Sequence, residues 1–400
     1  MILTKARKTL ATCCGVHVVH DGISDIMYVL LPALQQSFGL SLAEVGLVRG
    51  AHRAGLALFQ LPAGILSERL GERSLLAFGT AVAGFAFLAL GYSDTFLGLL
   101  FLLFLVGMGS AAQHPLSSSI ISTVYPGSGR RAALGAYAFA GDVGKCGIAG
   151  GLGLLLFTGL EWREPIVIIG AITVFTAVVV FLSLLTVGAG GRPDRRIEHR
   201  EKSGDLGWGI REPIGFSALC GIMVVDNCTR NGFLTFAAFL LIQDKGVDPG
   251  SAALVVPIIL IGGMWGKLAC GFLSERIGII RTVVLTELGT VAGIIAIVLL
   301  DGMAAFFVLP LLGIVLNGTS PVLQGTVGDL VESKRQSRAF GLFFSISASC
   351  GIAAPLGFGV LSDLISVSAT MYVIAGLVFL TLPLCLILRP VLISTAAAAE

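Results

Sequence analysis

His17, Asp21 and Asp25 follow one another at one-turn spacing near the start of the 400-residue chain. Separations of four residues put all three on one helix face, with His20 one position aside. A carboxylate in apolar surroundings gains by taking up a proton, so Asp21 or Asp25 can bind and release one. Arg49, His52 and Arg53 come next, with the two arginines on a shared face. A guanidinium grips a carboxylate or phosphonate through two parallel hydrogen bonds. Arg53 is the better anion ligand, or it pairs with Asp21 or Asp25, while Arg49 can snorkel to the outer interface. His114 precedes Pro115. An imidazole titrates near neutral pH, which suits a proton relay or a ligand hydrogen bond. Equally, it can bond a carbonyl that the proline frees. Asp142 and Lys145 are spaced to pair along a helix, as are Asp226 and Arg230, with Asn227 between them. Asn317, Ser320 and Gln324 add neutral hydrogen-bonding groups, and Glu287 reads as a partner for loop arginines.

These groups sit in segments of unusual composition. The chain is 55% hydrophobic and 12% charged, with mean hydropathy +0.93. Soluble domains carry about 25% charged residues, so a water-soluble enzyme is excluded. A net charge of +2 gives no footprint for nucleic acid. The eight cysteines form no CxxC pair and read as small buried hydrophobes. No metal signature or phosphate-binding GxxxxGK[ST] loop occurs, so no metal, cofactor or ATP is expected. His17, His20, Asp21 and Asp25 can in principle hold a divalent cation, but Arg53 and Arg230 would repel one. About 20 apolar residues cross a bilayer as a helix. Apolar runs at 12–38, 43–66, 73–92, 95–124, 132–158, 163–187, 213–243, 249–273, 281–300, 302–328, 339–363 and 368–388 therefore predict an all-α membrane protein with twelve transmembrane helices.

A polar break at 188–212 divides this pattern into a six-helix bundle over 1–187 and another over 213–400. If the chain starts in the cytoplasm, 19 of the 26 Lys and Arg fall in cytoplasmic segments. Positive residues stay inside, so both termini are expected there. The halves are pseudo-repeats. Val19-His20-Asp21 aligns with Val225-Asp226-Asn227, Gly64–Gly71 with Gly271–Gly278, His114-Pro115 with Ser320-Pro321, and Cys146–Ala149 with Cys350–Ala353. Parallel repeats of this kind enclose a site near the bilayer midplane.

The segment Gly64–Arg73, GILSERLGER, resembles the loop between helices two and three of the major facilitator superfamily, with a weaker copy at Gly271–Gly278. His20-Asp21, the run Gly107–Pro115 and the glycine-rich helix around Gly141–Gly151 resemble the fosmidomycin-resistance branch of drug exporters within it. The resemblance implies the major facilitator fold and a transporter rather than an enzyme, working by alternating access. It implies that Gly64, Glu68, Arg69, Gly71, Arg73, Glu275 and Arg276 form a cytoplasmic gating latch. It implies that the glycine helix lies where the halves meet. On this reading Asp21, Asp25, His114 and Asp226 carry protons, and His20, Arg53, Asp142, Lys145, Asn227, Arg230, Asn317 and Gln324 face the substrate. The expectation is a proton-coupled exporter of a small anionic or zwitterionic compound. Uptake of an organic anion is the alternative, and divalent-metal export a weaker one. The partners expected are the small-molecule substrate, protons and the lipid bilayer, with no nucleic acid. The expected setting is a bacterial inner membrane, with the protein monomeric.

Overall fold

The computed structural model describes residues 2–125, 129–191, 210–331 and 336–397. Residues 192–209, most of the sequence linker, lie outside the described residues, as do the side chains of Glu68 and Glu275. The chain is nearly all helix, as lipid demands: a crossing segment must satisfy every backbone N–H and C=O within itself. In order these are α1 Ile2–Phe38, α2 Leu42–Leu70, α3 Glu72–Leu90, α4 Phe96–Ser110, α5 Gln113–Val124, α6 Gly129–Phe157, α7 Arg163–Val187, α8 Pro213–Phe239, α9 Pro249–Ala252, α10 Val255–Ile277, α11 Ile279–Leu299, α12 Gly302–Leu330, α13 Gln336–Leu364, α14 Val367–Val378 and α15 Thr381–Ala397.

Each break that divides twelve crossings into these fifteen helices precedes a proline. The ring removes one N–H and clashes with the carbonyl four residues back. The chain breaks at 111–112 before Pro115, at 253–254 before Pro257 and at 379–380 before Pro383. Thus α4 with α5, α9 with α10, and α14 with α15 each make one broken crossing. Among the described residues nine crossings are long and apolar enough to span a membrane on length and composition alone. The other three are α1, α2 and α8, which carry Asp21 and Asp25, Arg49 and Arg53, and Asp226 and Arg230.

Contacts divide the chain into two units. One comprises Met1–Leu40 and Leu47–His199, and the other Ser41–Gly46 and Arg200–Glu400. The first is built around Cys13, Val16, Leu76, Ile120, Tyr137 and Leu184, the second around Phe216, Leu219, Val327, Phe343 and Leu388. Large apolar side chains such as Phe78, Phe175 and Phe307 are exposed, a surface suited to lipid.

Glycines set how the charged helices are held. A Cβ on Gly107 of α4 would lie 2.0 Å from the carbonyl oxygen of His52, and one on Gly55 of α2 would lie 2.2 Å from that of Phe104. Backbone touches backbone there, which fixes the stretch of α2 that carries Arg49 and Arg53. The second unit repeats the contact: a Cβ on Gly313 of α12 would lie 2.1 Å from Ile259 O, and one on Gly262 of α10 would lie 2.0 Å from Pro310 O. The repeated turns agree as well. Gly71 and Gly278 have φ of 86° and 89°, and Ser67 and Ser274 donate to the carbonyls of Gly64 and Gly271 at 2.7 and 2.8 Å.

Candidate functional site

In the first unit α1, α5 and α6 bring one carboxylate into a crowd of bases. Asp21 Oδ2 lies 3.2 Å from His17 Nε2 and 3.1 Å from Lys145 Nζ, and Oδ1 lies 3.4 Å from His114 Nε2. Lys145 also reaches Asp142 at 3.5 Å. The Asp142–Lys145 pairing read from spacing is present, yet the shorter contact of Lys145 is with Asp21. His17 Nδ1 donates to the carbonyl of Tyr137 at 2.6 Å, and the two rings stack at 3.9 Å. Gln113 in turn donates to the Tyr137 hydroxyl at 2.7 Å. The space for this comes from two glycines of α6. A Cβ on Gly144 would strike Val18 O at 2.1 Å, and one on Gly141 would strike His17 and Asp21 within 2.7 Å. These glycines therefore pack against α1 within their own unit, whereas Cβ atoms on Gly147, Gly150 and Gly151 would meet nothing within 4 Å.

His20 turns elsewhere. Thr80 of α3 donates its hydroxyl to Leu76 O at 2.8 Å, so its oxygen accepts from His20 Nε2 at 2.8 Å. His20 is thus anchored to α3 rather than grouped with His17, His114 and Lys145 around Asp21.

A second cluster lies on α2. Arg49, expected to snorkel outward, is wholly buried. Its guanidinium stacks 3.9 Å over the Tyr28 ring, and Nη1 donates to Ser24 O at 3.2 Å and to His52 Nδ1 at 3.3 Å. Snorkelling fails because Tyr28 and Ser24 hold the arginine against α1. Arg49 Nε and Nη2, His52 Nε2 and Arg53 Nε are buried without an acceptor. His52 Nδ1 accepts from Arg49, so its Nε2 carries the proton, and all four orphaned atoms are donors. Among the described residues no ion pair within 4.0 Å joins Arg53 to Asp21 or Asp25. Asp25 is buried and acts electrostatically on Arg49 and Arg53.

The second unit gathers Asp226, Asn227, Arg230, Ser320 and Gln324 around a cavity of about 30 Å³, room for water alone. The expected ion pair of Asp226 with Arg230 is not formed among the described residues. Arg230 donates instead to Ser320 Oγ and Asn227 Oδ1, and Asp226 Oδ2 is buried without a partner. Asn317 is not part of this group. It donates to Gly313 O at 3.2 Å and packs against Gly263. Glu287, read as a partner for loop arginines, is buried on α11 beside Thr319 and acts electrostatically on Asp226 and Arg230. Helix spacing gives no signal for that placement, because only the packing of α11 on α12 brings it about.

Of the latch residues, Arg73 donates its backbone N–H to Gly190 O at 2.8 Å and its guanidinium to Ala189 O at 3.5 Å, beyond the end of α7. Arg69 and Arg276 are exposed. Ligand atoms of His17, Asp21 and His114 lie within 4.8 Å of one another, close enough for a metal ion. The Lys145 ammonium already stands at that carboxylate, so the arrangement opposes a further cation.

The profile described as Major Facilitator Superfamily matches residues 13–212 and 219–398. A hexuronate transporter of Bacillus subtilis is 22% identical over 394 residues, covering 91% of this chain and 90% of that protein. A tetracenomycin C resistance and export protein of Streptomyces glaucescens is 27% identical over 266 residues, covering 60% of this chain and 45% of that one. A solved bacterial homologue of the human lysosomal transporter Spinster matches with a TM-score of 0.75 and 18% identity, covering 98% of this chain and 94% of that one.

Proposed function

The chain belongs to the major facilitator superfamily, and we propose that it is a proton-coupled secondary transporter of a small organic anion, working by alternating access. The observation that carries the anion is the cluster on α2, where four buried N–H donors on Arg49, His52 and Arg53 have no acceptor. A buried unpaired donor costs about 1–3 kcal/mol. A carboxylate or phosphonate supplies acceptors in pairs, in the geometry a guanidinium fork matches. The exposed apolar surface supports a multi-pass membrane setting, and the Lys and Arg bias supports the reading of a bacterial inner membrane with both termini cytoplasmic.

Charge balance supports the proton. In the membrane-spanning part of the first unit, Asp21, Asp25 and Asp142 stand against Arg49, Arg53 and Lys145. With neutral histidines that interior is balanced when empty. An anion adds one negative charge, and a proton restores neutrality. A net charge in this environment costs several kcal/mol, so anion and proton bind best together. The geometry thus favours co-transport, and similarity to a hexuronate transporter over nine-tenths of the chain supports a sugar-acid-like cargo. Export in exchange for protons, as in the fosmidomycin-resistance branch, is the second reading. The tetracenomycin-exporting relative favours it.

Purified protein in sealed vesicles tests both. Galacturonate, as the hexuronate probe, should accumulate on the side toward which protons flow and acidify that compartment. Movement of the probe against proton flow establishes exchange instead. Stabilisation by divalent cations and by no anion would sink the anion reading.

A further inference from the structure

We propose that the transported proton is held between His17 Nε2 and Asp21 Oδ2. This deepens the proton-coupled reading above and rests on it. The argument starts from the tautomer. A carbonyl oxygen only accepts, so the 2.6 Å bond to Tyr137 O places a hydrogen on His17 Nδ1. In neutral imidazole Nε2 is then a bare lone pair. It is buried, no aligned hydrogen bond fills it, and the nearest acid oxygen is Asp21 Oδ2 at 3.2 Å. Two lone pairs facing each other repel in low dielectric. One proton on either atom turns the repulsion into a charge-assisted hydrogen bond. The site is built for one proton more than a neutral histidine and an ionised aspartate carry.

The surroundings bear on when that proton stays. From α6, Lys145 approaches the same carboxylate oxygen at 3.1 Å, and Asp142 partly offsets Lys145 at 3.5 Å. From α5, His114 stands 3.4 Å from Oδ1 and Gln113 binds the Tyr137 hydroxyl. From α1 itself come Asp25 and His20, the latter tied to Thr80 of α3. Arg53 of α2 acts on Asp21 electrostatically, and the ionisable groups of α7, Arg163 and Glu164, lie in its first turn, where Arg163 pairs with Asp94 and Glu161. Without the added proton, Asp21, Asp142 and Lys145 sum to one negative charge, and with it they are neutral. The His114 side chain is 45% exposed, which gives the carboxylate a route to water. On loading, an N–H bond forms at Nε2 as an O–H bond of hydronium breaks, and release reverses both. Gly141 keeps the pair free of a side chain that would otherwise sit 2.6 Å from Nε2.

The test uses the purified full chain with ¹⁵N-labelled histidine, His17 being assigned by loss of its signals in His17→Asn. Nδ1 should remain protonated throughout. Either Nε2 or the Asp21 carboxyl, followed by its infrared band, should gain one proton between about pH 9 and pH 5. Asp21→Asn should weaken proton binding at Nε2 at least about tenfold. A pair that stays loaded, or stays empty, across that range overturns the proposal. Asparagine can still donate to Tyr137 O but has no Nε2. His17→Asn should therefore make galacturonate binding less dependent on pH and cut pH-driven accumulation about tenfold or more. Unchanged pH-driven accumulation, or an unchanged pH dependence of binding, in a folded variant overturns it too. If the pair titrates but wild-type vesicles move no probe under a pH gradient, the proton site stands and the transport reading falls.

Discussion

The two units carry the same design in different chemistry. With a repeat offset of 206 residues, Asp21 and Asp25 of the first unit correspond to Asn227 and Asn231 of the second, and His114 corresponds to Ser320. The contacts correspond as well. Lys145 reaches Asp21 and His114 flanks it, whereas Arg230 donates to Asn227 and Ser320. Each unit therefore holds a cation against the middle of its first helix. The first surrounds it with histidines as well as carboxylates, whereas the second offers Asp226 and Glu287 without a histidine, and the paired arginines of the first, Arg49 and Arg53, align with Val256 and Leu260 at 207. The lesson we propose is a division of labour, with a shared packing scaffold and with proton and anion chemistry concentrated in one copy.

The strongest way to break this division is to give the first unit the residues of the second. Arg53→Leu and Arg49→Val should each weaken galacturonate binding about 100-fold, the worth of roughly two charge-assisted hydrogen bonds. Calorimetry on purified protein measures this. Each change also leaves the interior with one unbalanced negative charge, so the melting temperature should fall. Binding within threefold of wild type in both variants would place the anion elsewhere.

The next contrast is between acids. Asp21→Asn should cut pH-driven accumulation about tenfold or more, by removing one wall of the proton site. Asp226→Asn in the second unit leaves a group of nearly the same shape. It should keep the pH profile and change the apparent affinity less than about threefold. A vesicle assay over a pH series separates them. A shifted pH profile for Asp226→Asn would spread proton coupling over both units.

Much of the scaffold was legible in the residues, and for physical reasons. Most helix positions and the repeated Gly71 and Gly278 turns follow from backbone rules that act locally, whereas the breaks before Pro115, Pro257 and Pro383 do not, since Pro32, Pro62, Pro310 and Pro321 lie inside unbroken helices. The face shared by His17 and Asp21 was legible for the same reason. Neighbours across helices were not. Spacing suggested an Asp226–Arg230 pair, yet Arg230 bonds Ser320 of α12. Spacing let Arg49 reach outward, yet α1 places Tyr28 and Ser24 against it. Glu287 meets its electrostatic partners only because α11 packs on α12. A period of 3.6 residues fixes which side of a helix a residue takes, and the glycine contacts then decide what that side touches.

Those contacts yield a smaller effect. Gly144→Ala puts a Cβ 2.1 Å from Val18 O, whereas Gly147→Ala meets nothing within 4 Å. The first should destabilise by about 1–3 kcal/mol through overpacking, lowering the melting temperature and loosening the His17–Asp21 site. The second should be neutral or mildly stabilising. Equal melting temperatures would show that α1 and α6 are not held backbone to backbone.

The smallest contrast lies in the caps that start the second helix of each repeat. Ser41 and Glu44 exchange bonds at the start of α2, with Ser41 N–H donating to Glu44 at 2.8 Å and Glu44 N–H to Ser41 Oγ at 3.2 Å. The corresponding position before α9 is Asp248, whose side chain accepts from Ser251 N–H at 2.9 Å. The Ser251 hydroxyl and N–H hold the Asp248 carboxyl below its usual range. A carboxyl depressed in the folded state stabilises above its unfolded pKa, and the contribution fades as pH falls through the folded value. Asp248→Ser therefore converts a titrating cap into the neutral kind used at Ser41. Serine and aspartate cap about equally well, so melting should change little at neutral pH. The variant should lose less stability than wild type on acidification below about pH 4. An identical acid-side decline in both would mean that the cap contributes nothing measurable and that carboxylates elsewhere set the loss of stability at low pH.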